Sequence, residues 1–295
     1  MTFREDATIN ANRARKRGGG APIAIGGGLG SLVLVALFVF LGGNPDDLQA
    51  ILGEQNQQQT QQQDNSEGSG ADFQHCKTGA DANKHDDCRI ILTAQSLDEV
   101  WGKILPEQAN LQYSEAGLTI FDQATDSGCG RASAATGPFY CPTDQTAYFD
   151  VSFFGQLRGL GARNAPFAQE YIVAHEFGHH IQKLENTLQL SNYNQPGADS
   201  NAVKIELQAD CYAGLWAHHA EGGSALQKVT EAEMQDAIAA AQAVGDDNIQ
   251  RRSGGDVRPE AWTHGSSQQR AEAFMSGYTS GKMSACDTLN RGVYR

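Results

Sequence analysis

The sequence predicts an α+β domain, because strand-like segments precede most of the segments with helical signals. Three helix starts are predicted by capping boxes, in which Ser or Thr is followed three residues later by Glu or Gln. The capping boxes are Ser96 with Glu99, Thr230 with Glu233 and Ser266 with Gln269. Residues 118–121 and 147–153 are rich in aromatic and β-branched side chains, and they predict strands.

The N-terminal region combines a basic cluster with an uncharged apolar stretch at residues 21–43. Roughly 20 apolar residues suffice to cross a bilayer, and the basic flank of such a segment stays in the cytoplasm. We therefore expect a cytoplasmic N-terminus at 1–20 and a transmembrane helix at 21–43, with the rest of this single-pass membrane protein outside the cytoplasm. The alternative is a cleaved signal peptide, since the most apolar run, 31–41, has the length of an h-region.

The next segment, residues 44–75, is Gln-rich and has too few apolar side chains to form a core. We expect it to be a disordered linker. Residues 76–295 then form one domain, within which the Gly-, Ala- and Pro-rich stretch at 127–142 is expected to be an irregular loop. The net charge of −13 argues against a nucleic-acid partner, because an acidic surface repels phosphate backbones.

The strongest chemical signal is the segment HEFGH, which begins at His175 inside a stretch of helical length. His175 and His179 are four residues apart, so on a helix both imidazoles face one side and can bind one metal ion. Glu176 is turned about 100° from His175, so it can reach a water on that metal without being a ligand. This spacing predicts a zinc site with Glu176 as the catalytic base.

A catalytic zinc site needs a third protein ligand and an open fourth position. The later segment AVKIELQADCYAGLWAHH supplies two carboxylates, Glu206 and Asp210, which are four residues apart on one predicted helix face. We expect Glu206 to be the third ligand. We expect Asp210 to accept a hydrogen bond from His175 and thereby fix the tautomer and orientation of that ring.

Several sequence blocks follow one another along nearly the whole chain: GCGRASAATGPFYCPTDQTAYFD, VAHEFGHHIQ, ELQADCYAGLWA, GDDNIQ and THGSSQQR. With the basic, Gly-rich N-terminus, this series resembles the bacterial neutral zinc metallopeptidase family. That family is similar to the gluzincins, in which both histidines of H-E-x-x-H and a downstream glutamate hold zinc. The resemblance implies a zincin-like (gluzincin) domain with one Zn²⁺ per chain, held by His175, His179 and Glu206, and with Glu176 as base.

The block THGSSQQR also resembles the T-H-P-x-x-x-x-R block of some membrane-linked gluzincins, with glycine where those proteins have proline. In them the histidine stabilises the oxyanion and the arginine supports the site. The resemblance implies that His264 is a transition-state donor and that Arg270 is its structural support. The alternative is that His264 merely lies at the entry of a helix.

The six cysteines allow fifteen disulfide connectivities. Short loops favour two of the pairs and leave the third, so we expect Cys76–Cys88, Cys129–Cys141 and Cys211–Cys286, with no free thiol. In an exported chain a disulfide framework is the simplest use of these residues.

The remaining histidines carry weaker signals. His180 is one residue off the metal-binding face and is expected at the surface or outside the ligand set, while His218 and His219 are expected to be solvated. His75 and His85 flank the first cysteine pair and have no partner pattern.

Together these features predict a membrane-anchored, extracytoplasmic zinc-dependent endopeptidase that acts on peptide or protein substrates. We expect an edge strand near residues 129–153 to hold the extended substrate. Two alternatives use the same zinc site: an envelope assembly or interaction protein with little or no turnover, and a hydrolase of non-peptide amides. The sequence indicates no particular substrate or protein partner.

Overall fold

We determined the architecture from a computed structural model, which describes residues 2–17, 70–122, 124–133 and 136–295. Over these residues the fold is α+β, as the sequence predicts. Its eight helices are α1 (Gly79–Ala82), α2 (Asp86–Ile104), α3 (Leu157–Leu160), α4 (Pro166–Leu184), α5 (Asn201–Ala220), α6 (Glu231–Ala243), α7 (Asp246–Arg252) and α8 (Ser267–Ser280). Its six strands are β1 (Arg15–Arg17), β2 (Gly117–Phe121), β3 (Ala124–Ser127), β4 (Gly130–Ser133), β5 (Phe139–Cys141) and β6 (Thr146–Asp150).

The main sheet has four strands in the order β1-β2-β6-β5. Strands β1, β2 and β6 are parallel, whereas β5 pairs antiparallel with β6 and forms one edge of the sheet. Strands β3 and β4 form a separate antiparallel hairpin. The segment 127–142 is therefore not the irregular loop that we predicted, because backbone pairing orders much of it despite its glycines and alanines.

The predicted helix starts agree with the structure in two of three cases. Capping boxes at Thr230 and Ser266 precede α6 and α8. The start predicted at Ser96 is wrong, because α2 begins ten residues earlier, at Asp86. Two acidic residues in its first turn favour that start, since the N-terminus of a helix attracts negative charge. The hydroxyl of Ser96 instead accepts a hydrogen bond from Trp216 in the core.

The second predicted strand ends earlier than expected. Strand β6 ends at Asp150, and a 3-10 helix, Val151–Gln156, follows it. The carboxylate of Asp150 accepts a hydrogen bond from the backbone N–H of Ser152, at 2.8 Å, and so caps this helix. The local capping contact therefore stops the strand although the apolar pattern continues.

The N-terminal segment, residues 2–17, is packed into the same domain as the rest of the described chain. Phe3 is fully buried and forms a β-bridge with Leu226, and β1 pairs with β2. The guanidinium of Arg13 contacts the carboxylate of Asp98 at 2.6 Å, with both side chains about nine-tenths buried. Residues 2–17 are therefore part of the folded domain, whereas the sequence analysis assigned residues 1–20 to a segment of their own.

The structure contradicts the predicted single-pass membrane localisation. In the described part of the chain, no helix has both the length and the apolar character needed to cross a bilayer. The predicted transmembrane segment at 21–43 and the predicted linker, except for its last residues from 70 onward, lie outside the described residues.

The three predicted disulfides are confirmed. The bonds join Cys76 to Cys88, Cys129 to Cys141 and Cys211 to Cys286, and the described chain has no free cysteine. The third bond joins the middle of α5 to the C-terminal segment after α8. It therefore closes the longest of the three loops, which has a sequence separation of 75 residues.

Candidate metal site

Two long helices, α4 and α5, position the candidate metal site. The HEFGH segment lies in the second half of α4, and the segment with Glu206 lies in the first half of α5. The two helices approach closely at Gly178, where a Cβ atom would lie 2.9 Å from Cα of Ala209. Only a glycine allows this approach, which brings the histidines of α4 against the carboxylates of α5.

The three predicted ligands lie together. Nε2 of His175 is 3.3 Å from Oε2 of Glu206, and Nε2 of His179 is 3.7 Å from Oε1 of the same carboxylate. One ligand atom from each of the three residues lies within 4.8 Å of the others. Tetrahedral zinc with bond lengths of about 2.0–2.1 Å places ligand atoms about 3.4 Å apart. The spacing and the donor set therefore fit a zinc ion.

Each histidine uses its other ring nitrogen for a hydrogen bond within the protein. Nδ1 of His175 is 2.8 Å from Oδ1 of Asp210, as the sequence predicts, and Nδ1 of His179 is 2.8 Å from Oε1 of Gln182. These acceptors require the proton on Nδ1, which leaves both Nε2 atoms available as ligands. Gln182 was not among the predicted site residues, although its position three residues after His179 on the same helix is a usable signal.

Asp210 is the centre of a buried polar network. Its carboxylate also accepts hydrogen bonds from the hydroxyl of Tyr171 at 2.5 Å and from Nε of Arg270 at 2.8 Å. Burial works to raise the pKa of Asp210, but Arg270 and His175 outweigh it, and the net pKa is below its ordinary value. The structure thus places Arg270 beside Asp210, where it supports the orientation of His175.

Glu206 supplies a negative charge for a bound cation, whereas His175 must first lose a proton. Burial works to raise the pKa of Glu206, but His179 and His175 outweigh it and hold that pKa well below its ordinary value. Burial works to lower the pKa of His175, whereas the Asp210 carboxylate raises it to about 10. A metal ion must therefore displace a proton from this histidine, and metal affinity should rise with pH.

Glu176 lies in the same cleft, 8 % exposed. Burial raises its pKa above the ordinary value, and the charges of His175 and His179 partly oppose this effect. A carboxylate with a raised pKa is better suited to exchange a proton near neutral pH.

His264 also lines this cleft, and the structure explains how it is held. Asp246, which is fully buried, accepts hydrogen bonds from the backbone N–H groups of Thr263, His264 and Gly265. Nδ1 of His264 is 3.3 Å from Oδ1 of Asp246. Burial works to lower the pKa of His264, but Asp246 and Glu206 outweigh it, and the net pKa is raised. Sequence analysis missed this role of Asp246, although it noted the block GDDNIQ.

Tyr193 is a further cleft residue that sequence analysis missed. It lies between α4 and α5, and its hydroxyl donates to Oε1 of Glu206 at 3.3 Å. Burial and the carboxylate of Glu206 raise the pKa of this phenol, so it remains a proton donor. No motif marks it in the sequence, because the contact depends on how the connecting segment folds over the site.

The other histidines lie away from the ligand set. His180 is fully buried, so the expectation of a surface position is wrong, although it lies outside the ligand set as predicted. Its Nδ1 is 2.9 Å from the hydroxyl of Tyr140, and its Nε2 is 2.7 Å from the carbonyl of Ser114. His218 and His219 are exposed, in agreement with the prediction.

A second group of potential metal donors consists of His75, Cys76, Asp87 and Cys88. Both sulfurs of this group are joined in a disulfide, so neither is available as a thiolate. Nε2 of His75 instead lies 2.9 Å from Oδ2 of Asp87. This group is therefore a weaker candidate than the site between α4 and α5.

The candidate metal site opens into a cleft of about 760 Å³. A cleft of this size can hold several residues of an extended peptide, and all three candidate ligands line it together with Glu176 and His264. The arrangement combines a metal site, a buried carboxylate and two further hydrogen-bond donors around one accessible space.

Comparison with known proteins gives a family and several relatives. Residues 3–289 match the family described as "Putative neutral zinc metallopeptidase". The uncharacterized protein Rv2575 of Mycobacterium tuberculosis is 45% identical over 229 residues, which cover 75% of this chain and 76% of the relative. The uncharacterized protein YpfJ of Escherichia coli K12 is 33% identical over 283 residues, which cover 93% and 92% of the two chains. No solved structure matches.

The family match spans nearly the whole chain, and its first matched residue is Phe3, in the N-terminal segment that packs into the domain. The family name suggests zinc, and the site between α4 and α5 offers a donor set that suits it. This chain belongs to the family described as putative neutral zinc metallopeptidase.

Proposed function

We propose that this protein is a zinc-dependent endopeptidase that hydrolyses peptide bonds with Glu176 as general base. The observation that carries the proposal is the convergence of His175, His179 and Glu206 at the floor of a cleft that also contains Glu176. Three protein ligands with an open side are typical of catalytic zinc, whereas structural zinc has four protein ligands.

Zinc bound here would act as a Lewis acid on the scissile carbonyl and lower the pKa of its bound water to about 7. Glu176 would take a proton from the attacking water and pass it to the leaving amine. His264, held by Asp246, would donate a hydrogen bond to the oxyanion that forms. Arg270 also lines the cleft, but its guanidinium is paired with Asp210, so its role would be to support His175.

The test uses the full-length chain and measures zinc content and peptide hydrolysis together. Wild-type protein should hold about one zinc per chain and cleave peptides. Glu176→Gln should retain the zinc and lose the cleavage, because it keeps the shape of the side chain but cannot accept the proton. The exposed Glu260→Gln serves as the matched control and should behave as wild type.

Two outcomes would contradict the proposal. Absence of zinc after purification in zinc-containing buffer would remove its basis. Stoichiometric zinc without cleavage of a broad peptide library would favour a zinc-binding assembly or interaction protein instead.

A further inference from the structure

The two ends of the cleft differ in chemistry, and this difference restricts the substrate. The floor of the cleft follows one face of α4, with Ile172, His175, His179 and Lys183 spaced three or four residues apart. Ile172 lies about one turn before the metal-binding histidines and Lys183 about one turn after them. A substrate lying along α4 therefore meets Ile172 on one side of the metal and Lys183 on the other.

The end of the cleft at Ile172 is an apolar recess. Four further apolar side chains line the cleft: Phe153, Leu160, Val244 and Ile249. Val244 lies at the Ile172 end, because Arg270 donates both to its carbonyl and to the hydroxyl of Tyr171, the residue before Ile172. Leu160 and Ile249 lie beside Val244, because Asn248 donates to the carbonyls of Leu160 and Ala243. Phe153 and Ile172 are only 6 % and 7 % exposed, so their surfaces are largely covered. Burial of a Leu- or Phe-sized substrate side chain in such a recess removes most of its apolar surface from water.

The end of the cleft at Lys183 is polar and carries a positive charge. Its other lining side chains include the neutral amides of Asn186, Gln189 and Asn192. Lys183 is half-buried, and within the described ranges no carboxylate forms an ion pair with it. The acidic side chains that line the cleft, Glu176 and Glu206, belong to the metal site.

Strand β5 gives the direction in which an extended substrate would run. It lines the cleft at the edge of the sheet, and just before it a Cβ on Gly137 would lie 3.1 Å from the ring of Phe153, at the apolar recess. Further along β5, the hydroxyl of Tyr140 contacts His180, which is three residues from Lys183. A substrate paired antiparallel with β5 would therefore run from the Lys183 end to the recess.

We propose that the preferred substrates are extended peptides with an acidic side chain on the amino side of the cleaved bond and a bulky apolar side chain on its carboxyl side. Lys183 binds the carboxylate, and the recess at Ile172 takes the apolar group. At a helical rise of 1.5 Å per residue, Lys183 lies about 6 Å beyond His179 along α4. An extended peptide advances about 3.3 Å per residue, so the acidic residue lies one or two residues before the cleaved bond.

This inference rests on the proposed peptidase function, and its test compares two peptides of identical composition. One peptide has Glu at the two positions before and Leu at the two positions after the central bond, and the other has Glu and Leu exchanged. Because composition and net charge are the same, the acidic surface of the protein repels both peptides equally. We expect kcat/KM to be about tenfold higher for the first peptide, with cleavage at the central bond identified by mass spectrometry.

The charge of Lys183 is tested by reversal. The Lys183→Glu protein should no longer prefer peptides with Glu before the cleaved bond. Its kcat/KM should instead be about tenfold higher for a peptide with Lys in the position of Glu. The exposed Lys228→Glu is the matched control and should keep the wild-type order. Equal kcat/KM values for the two isomeric peptides, or preference for the exchanged one, would overturn the inference.

A binding measurement separates this inference from the proposed function. Calorimetry with the zinc-loaded Glu176→Gln protein should show the same order of affinity for the two peptides without turnover. If the wild-type protein cleaves both peptides equally, the substrate preference is wrong and the peptidase function stands. If nothing is cleaved but the affinities keep the expected order, the proposed function is wrong and the recognition by Lys183 stands.

Discussion

Asp210 is the buried acceptor that orients His175, and Asp210→Asn is expected to weaken both zinc binding and the zinc-free fold. The carboxylate accepts from Tyr171, His175 and Arg270 at once, with distances of 2.5, 2.8 and 2.8 Å. An amide has one acceptor oxygen, and its NH₂ group would face a donor. The guanidinium of Arg270, only 4 % exposed, would also lose its charge partner.

The size of each effect follows from this geometry. Loss of a hydrogen-bond partner behind a metal-binding histidine typically lowers metal affinity by about 10- to 100-fold. Removal of one partner from a buried ion pair costs about 3–5 kcal/mol of unfolding free energy. For a domain of this size, at about 2–4 °C per kcal/mol, the zinc-free Tm should fall by about 6–20 °C. A chelator competition measures the affinity, and thermal unfolding of the zinc-free protein measures the Tm.

The exposed Asp199→Asn is the matched control and should change neither quantity. If Asp210→Asn bound zinc as tightly as wild type, the orientation of His175 would not depend on Asp210. If its zinc-free Tm also stayed within about 2 °C of wild type, the ion pair with Arg270 would contribute little to the fold.

Three further predictions concern other buried or cleft residues. Phe3→Ala should cost about 3–5 kcal/mol of unfolding free energy in a melting experiment, since Phe3 is fully buried, whereas the exposed Leu190→Ala should not. Tyr193→Phe should retain zinc but lower kcat about 10- to 100-fold, because it removes a donor beside Glu206; an unchanged kcat would exclude this role. Burial raises the pKa of Glu170 to about 8. The folded state therefore keeps a proton that the unfolded state loses above its ordinary pKa near 4.5, so stability falls as pH rises from about 4.5 to 8. Glu170→Gln should flatten this dependence in denaturant titrations at pH 5 and 9, and an unchanged slope would contradict the assignment.

The parts of the site that the sequence predicts are those encoded by local spacing. The separation of His175 and His179 places both on one helix face, and the same argument applies to Glu206 and Asp210 on α5. That the two helices meet at these residues could not be read from spacing, because it depends on the close approach at Gly178.

Apart from Gln182, whose contact with His179 is local, the contacts that could not be predicted join segments distant in the chain. Asp246 acts on a histidine 18 residues away, and His180 joins Tyr140 and Ser114, which are 40 and 66 residues away. The capping box at Ser96 gave a wrong prediction for a different reason. It is a local signal, and tertiary packing can override it. At Ser96 the hydroxyl is used by Trp216, 120 residues away, inside a helix that began earlier.

Tests of the proposed chemistry need a protein that includes the N-terminal segment, residues 2–17. A chain that began at residue 76, the start of the predicted domain, would lack Phe3 and Arg13. The pocket of Phe3 would then be empty, and Asp98 would keep the hydroxyl of Tyr113 but lose its buried cation. The hydroxyl of Thr2 also donates to Glu170 on α4, the helix that carries both candidate metal-binding histidines. Loss of zinc or activity in such a truncated chain would therefore report damage to the support of α4, and only the full-length chain separates catalysis from folding.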